Sequence, residues 1–149
     1  MRAVVQRVHK AHVSVDAKIV GAISRGLVAF VGAEQGDTDT DLNYTLNKIA
    51  GLRVFPDEQG RMSRALSDIG GEVLAISQFT LFGDMRRGLR PSFDDAMEPI
   101  AAEALFNRFV SELKARGLQV ATGQFRAMMD VYVENDGPVT ILIDSRKRF

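Results

Sequence analysis

The stretch that decides the fold opens the chain: Ala3-Val4-Val5-Gln6-Arg7-Val8-His9-Lys10-Ala11-His12-Val13-Ser14-Val15. It is rich in valine, and at its end Val13 and Val15 alternate with Ser14, the two-residue period of a strand with one buried face. Lys18 to Ile23 and Leu27 to Val31 continue the pattern, separated by the turn-like Ser24-Arg25-Gly26. Three short strands so close together predict an antiparallel meander.

Outward from that stretch the period changes. Asp37 or Thr38 is placed to cap a helix, Asp39 and Asp41 suit the positive end of its dipole, and Leu42, Leu46, Ile49 and Ala50 recur at helical spacing. A helix over residues 39–51 is predicted. Pro56-Asp57-Glu58-Gln59-Gly60 is a turn, Glu72 to Phe79 a mostly buried strand, and Phe82 to Ser92 a loop holding Gly83, Gly88 and Pro91. A second helix has Pro99 in its first turn, carries the stripe Ala101, Leu105, Phe109 and Leu113, and ends at Gly117. Leu118 to Ala121, Met128 to Glu134 and Val139 to Asp144 read as three further strands, the last two joined by Asn135-Asp136-Gly137-Pro138. The fold class is α+β: one domain over residues 1–149, with a mostly antiparallel sheet or barrel-like core and two main flanking helices.

Composition narrows the function. The chain has 149 residues, 46% hydrophobic and 26% charged, enough apolar material for a real core. Its 19 basic and 19 acidic residues cancel, so any nucleic-acid contact must use a local patch. The absence of cysteine excludes thiol nucleophiles, disulfides and thiolate-ligated zinc. No apolar run approaches the roughly 20 residues of a membrane helix, and Met1 to Arg7 lacks a signal-peptide core. A soluble cytoplasmic protein is expected.

Dinucleotide, P-loop, nucleophile-elbow and zinc-protease signatures are all missing. His9 and His12 lie three apart on a predicted strand, on opposite faces, so they form no local metal pair. Neither stands beside a serine or threonine it could activate. The carboxylates Glu34, Asp37, Asp39 and Asp41 fit a solvated helix start better than acid–base or metal chemistry. Met128-Met129 reads as core packing. Two basic clusters, Arg86, Arg87 and Arg90 in a loop and Arg146, Lys147 and Arg148 at the end, admit two readings: solvated surface runs, or phosphate contacts suited to the arginine fork.

Two polar patches stand at strand ends, where backbone N–H groups escape the ladder: Ser77-Gln78-Phe79-Thr80-Leu81 and Gly137-Pro138-Val139-Thr140. By themselves they are also consistent with a strand leaving the core and a turn. Together, in this order and separation, they resemble the D-aminoacyl-tRNA deacylase family. Met1 to Val8 and Arg90-Pro91-Ser92-Phe93 are similar too, and the likeness runs over essentially the whole chain.

The resemblance implies a hydrolase that cleaves the ester joining a D-amino acid to the 3′-terminal adenosine of tRNA, removes glycine from mischarged tRNA, and spares L-aminoacyl-tRNA. It implies a homodimer with active sites at the interface, no metal and no cofactor. Catalysis would be RNA-assisted: the terminal 2′-hydroxyl helps activate water while backbone N–H groups at Phe79 and Thr80 stabilise the oxyanion. Ser77 and Gln78 would shape the adenosine and ester pocket. Gly137 and Pro138 would form a cis Gly-Pro filter inserted into the partner's pocket, and Arg86, Arg87 and Arg90 would meet tRNA phosphates. Three alternatives remain open at this level. They are a non-catalytic nucleic-acid-binding module, a hydrolase with Thr80 or Ser77 as nucleophile and His9 or His12 as base, and a structural oligomer.

Overall fold

Long valine-rich strands with one polar face can bury the other only by curling or by gaining a second layer, and this chain does both. A computed structural model describes residues 1–149. Strand β1 (Arg2–Val15) is the spine. Its first half pairs antiparallel with β3 (Gly26–Gly32) and its second half with β2 (Lys18–Ile23). The three opening strands are antiparallel as expected, but they are not a meander: β2 and β3 both pair with the long β1 and not with each other, because β1 is long enough to hold one on each half. Along its other edge runs β8 (Asp130–Asp144), also antiparallel.

Beyond β3 the pairing turns parallel. Strand β6 (Glu72–Ser77) lies beside β3, and β7 (Gln119–Thr122) beside β6. Parallel neighbours need long crossovers, which are supplied by helix α1 (Asp39–Ala50) with the segment that follows it, and by helix α3 (Pro99–Ala115). That intervening segment holds the small hairpin β4 (Phe55–Pro56) and β5 (Met62–Arg64) and the one-turn helix α2 (Leu66–Ile69). The sheet is therefore mixed, mostly antiparallel with a parallel wing.

The near-continuous apolar runs of β3 and β6 are explained by burial on both faces. Leu27, Ala29, Val73 and Ala75 face the helices, packed with Leu42, Leu46, Phe109 and Leu113. Val28, Leu74 and Ile76 face inward, against Val8, Ala11, Val13 and Ile23 of the curled half of the sheet. The sheet nearly closes into a barrel: a Cβ on Gly21 of β2 would lie 2.3 Å from the Thr122 carbonyl oxygen of β7, so only glycine permits that approach.

Both helices match their sequence signals. Thr38 caps α1, its N–H donating to Asp41 while its hydroxyl accepts from Thr40. Pro99 is the first residue of α3, whose free N–H groups at Ile100 and Ala101 donate to the Glu98 carboxylate.

Two further expectations need correction. Strand β6 stops at Ser77, and Phe79–Phe82 form a 3-10 helix. The two last predicted strands are one, β8, and Asn135 to Pro138 belong to a bulge inside it rather than to a turn. Gln6 pairs Thr140 and Val8 pairs Asn135, so four residues of β8 stand opposite Arg7 alone. Asn135 closes the neck of the bulge, its side-chain oxygen accepting from the Val139 N–H at 2.8 Å. The Gly137-Pro138 peptide is cis. No helix is long and apolar enough to cross a membrane.

Candidate active site

Strands β3 and β6 end level with each other, Val31 opposite Ser77. The Gln78 N–H still donates to Val31 O at 2.8 Å, and the chain then tightens into the 3-10 helix. The opening N–H groups of a helix have no carbonyl ahead of them, so Phe79 and Thr80 present theirs where the sheet ends. Beside this strand end lies a cavity of about 760 Å³, with 14 hydrophobic residues among the 20 that line it. Ser77, Gln78, Phe79 and Thr80 all line it. The Phe79 ring is half exposed and meets Phe93 edge-on at 5.1 Å.

The Thr80 hydroxyl is hydrogen-bonded by the Gln78 amide. No base approaches it. His9 stands 3.6 Å from Asp136, His12 stacks on Tyr132 at 5.0 Å, and neither lines the cavity. A threonine or serine nucleophile with a histidine base therefore finds no support in the geometry. No group of three or more His, Asp or Glu side chains gathers closely enough to hold a metal ion.

Gly137 and Pro138 do not line this chain's own cavity. They ride on the β8 bulge, held by buried Arg7, which donates to Asp136 O at 3.1 Å, pairs with the Asp136 carboxylate and reaches Val54 O. Gly137 has φ +136, and a Cβ there would meet Val139 at 2.7 Å.

The arginine loop separates into two kinds. Arg86 gives Asp84 two hydrogen bonds, at 2.9 and 2.7 Å, and holds the Asp84 carboxyl well below the usual carboxylate range. Arg87 and Arg90 are exposed and form no ion pair. Backbone bonds between Asp84 and Ser92, at 2.7 and 2.9 Å, pin the loop at its base.

The C-terminal basic cluster is not a free anion site. Arg148 pairs with Glu34 at 2.6 Å and with Asp144 at 2.8 Å, and Arg146 pairs with Glu34 at 3.1 Å. Glu34 and Asp37 are correspondingly buried rather than solvated. The acidic and basic runs, distant in sequence, neutralise each other in the fold.

Sequence reasoning missed several cavity residues. Met1 lines it while its ammonium pairs with buried Asp37 at 2.8 Å. Phe125 to Met129 form another part of the wall. Met128 is exposed there rather than packed in the core, while Met129 is partly buried. That segment has no periodicity to betray it; only Phe93 carried a signal, inside Arg90-Pro91-Ser92-Phe93.

A single mixed α+β domain with an apolar cavity at the ends of parallel strands is the class that this architecture defines. The family model for D-Tyr-tRNA(Tyr) deacylase matches residues 4–144. A D-aminoacyl-tRNA deacylase of Sorangium cellulosum (strain So ce56) is 69% identical over 100% of both chains. A solved structure described as c-Myc DNA Unwinding Element Binding Protein is 40% identical with TM-score 0.91, over 97% of this chain and 98% of that one. Another, described as a "probable eukaryotic D-amino acid tRNA deacylase", shares the fold at 18% identity and TM-score 0.83, over 95% and 97%. The chain belongs to the D-Tyr-tRNA(Tyr) deacylase family.

Proposed function

We propose that the chain hydrolyses the ester between a D-amino acid and the 3′-terminal adenosine of tRNA, and that it acts in the cytoplasm as a proofreading enzyme. The observation that carries this reading is the meeting of Ser77, Gln78, Phe79 and Thr80 on one large apolar cavity, in a chain of this family.

The chemistry suits a site without a nucleophile. An aminoacyl ester is activated, and the ribose carries a 2′-hydroxyl beside it. The protein then needs to hold the ester and stabilise the charge that develops on its carbonyl oxygen. The Phe79 and Thr80 N–H groups are the donors for that oxyanion, each worth about 3 kcal/mol of barrier by analogy with other such donors. The 2′-hydroxyl helps activate the attacking water. Ser77 and Gln78 shape the surrounding pocket.

Apolar fit alone separates enantiomers weakly. Strong selection needs an obstacle against the wrong one. In this reading Gly137 and Pro138 of a second copy supply it, as a backbone wall against the α-carbon. Glycyl-tRNA has no side chain to collide and is accepted. The working unit is then a homodimer.

A nucleic-acid-binding role without catalysis is the second reading, favoured by the description of the 40% identical neighbour. Paired D- and L-tyrosyl-tRNA separate the two. The expected result is turnover of the D ester with the L ester spared, substantial activity retained in Thr80→Ala, and strong loss with a 2′-deoxy terminal ribose. Tight tRNA binding with no hydrolysis of either ester would establish the binding module instead.

A further inference from the structure

Gln124 to Ala127 pass the cavity as a tight turn, closed by the Ala127 N–H donating to Gln124 O at 3.2 Å. The third residue of that turn is Arg126, at φ +60. Side chains with a Cβ avoid this left-handed conformation, and turns that require it ordinarily place glycine or asparagine there. The Arg126 side chain itself does nothing for the fold: it is exposed and takes part in none of the molecule's ion pairs or cation–π contacts. Yet Arg126 lines the cavity. The only other charged side chain there is Glu98, whose carboxylate is occupied in capping α3. Arg126 is thus the one uncommitted charge at the cavity.

We propose that Arg126 is the phosphate anchor of the site, binding the phosphate on the 5′ side of the substrate's terminal nucleoside and so positioning the ester without reacting with it. This rests on the reading of the cavity as the aminoacyl-nucleoside pocket. Counting outward from the ester, that phosphate is the first anion of the substrate. It leaves an apolar pocket at the rim, where an exposed planar guanidinium pairs well with phosphate oxygens. Arginine in a glycine position is explained if its side chain works on the substrate rather than on the fold.

The test uses the full chain, Arg126→Gln and Arg126→Gly, the latter also relieving the strained φ. Binding of adenosine 5′-monophosphate is compared with that of adenosine, and turnover of D-tyrosyl-tRNA with that of 3′-O-D-tyrosyl-adenosine, which lacks the phosphate. Wild type should prefer the monophosphate by about fivefold, the scale of one partly solvated ion pair, and both variants should lose that preference. Both should raise KM for D-tyrosyl-tRNA by about the same factor with kcat unchanged, and cleave the phosphate-free ester as wild type does. Arg126→Gly should do so without loss of thermal stability. Equal binding of the two nucleosides by wild type, or equal losses on both esters, overturns the proposal. If wild type cleaves neither ester while the monophosphate preference still depends on Arg126, the deacylase reading fails and the anchor stands.

Discussion

Arg86 gives its guanidinium to Asp84, whereas Arg87 and Arg90 give theirs to nothing in the chain. The difference decides which of them can release counterions from RNA. Arg87→Gln with Arg90→Gln should weaken tRNA binding and flatten its dependence on log salt by roughly 0.7–0.9 per lost phosphate contact. Arg86→Gln should leave that slope near wild type, since its charge is already neutralised locally. Binding constants measured across a potassium chloride series check both, and an unchanged slope in the double variant would make the loop ordinary solvated surface. In sequence the three arginines are equivalent. Only the turn that brings Asp84 under Arg86 separates them, as only the fold shows that Thr80 has the Gln78 amide and no histidine beside it.

At the level of elements, the C-terminal tail is held by buried carboxylates. Burial works against the ionised form of Asp144, but hydrogen bonds from Arg148, the Arg146 N–H and Arg2 outweigh it and keep its pKa below the ordinary value. Asp41 behaves alike: burial opposes its charge, while Ser145, Thr38 and the N-terminal ammonium hold its pKa down. A depressed folded pKa means stability that is present above the unfolded value, about 3.9 for aspartate, and lost as pH falls through the folded one. Denaturant midpoints should therefore be steady near neutrality and drop below about pH 4. Asp144→Asn should cost about 1–3 kcal/mol at pH 7, because it leaves Arg2 and Arg148 short of a partner, and should make the acid fall shallower. A variant with an unaltered acid limb would remove Asp144 from this account. Helices α1 and α3 were legible because their stripes and caps are local signals. Strand β8 was misread because Gly137-Pro138 is a turn signal locally, and its continuity comes from β1, more than a hundred residues away, pairing on both sides of the bulge. The tail network was illegible for the same reason, since Glu34 and Arg148 meet only in the fold.

On the scale of the whole molecule, the geometry separates the two family motifs within one chain. The bulge carrying Gly137 stands opposite Arg7, and Arg7 is level with Leu27 of β3. The cavity motif begins level with Val31, opposite Ser77. Four residues of strand, about 13 Å at 3.3 Å per residue, lie between the two levels, and neither Gly137 nor Pro138 reaches the cavity wall. If both motifs act on one ester, as the proposed function requires, a second copy must bring the bulge to the first copy's cavity. Mixing experiments then have a definite outcome. Ala102→Trp fills the cavity while leaving the bulge intact; Gly137→Ala distorts the bulge, where a methyl group meets Val139, while leaving the cavity intact. Each variant alone should hydrolyse D-tyrosyl-tRNA poorly. After subunit exchange of equal amounts, half of the dimers are mixed, and each mixed dimer holds one site built from an intact cavity and an intact bulge. Activity should recover to roughly a quarter of wild type. Sedimentation velocity establishes that the chains pair, and native mass spectrometry with one variant isotope-labelled establishes that they exchange. Exchange without recovery would place each site wholly within one chain and remove Gly137 and Pro138 from the selection of the substrate's hand.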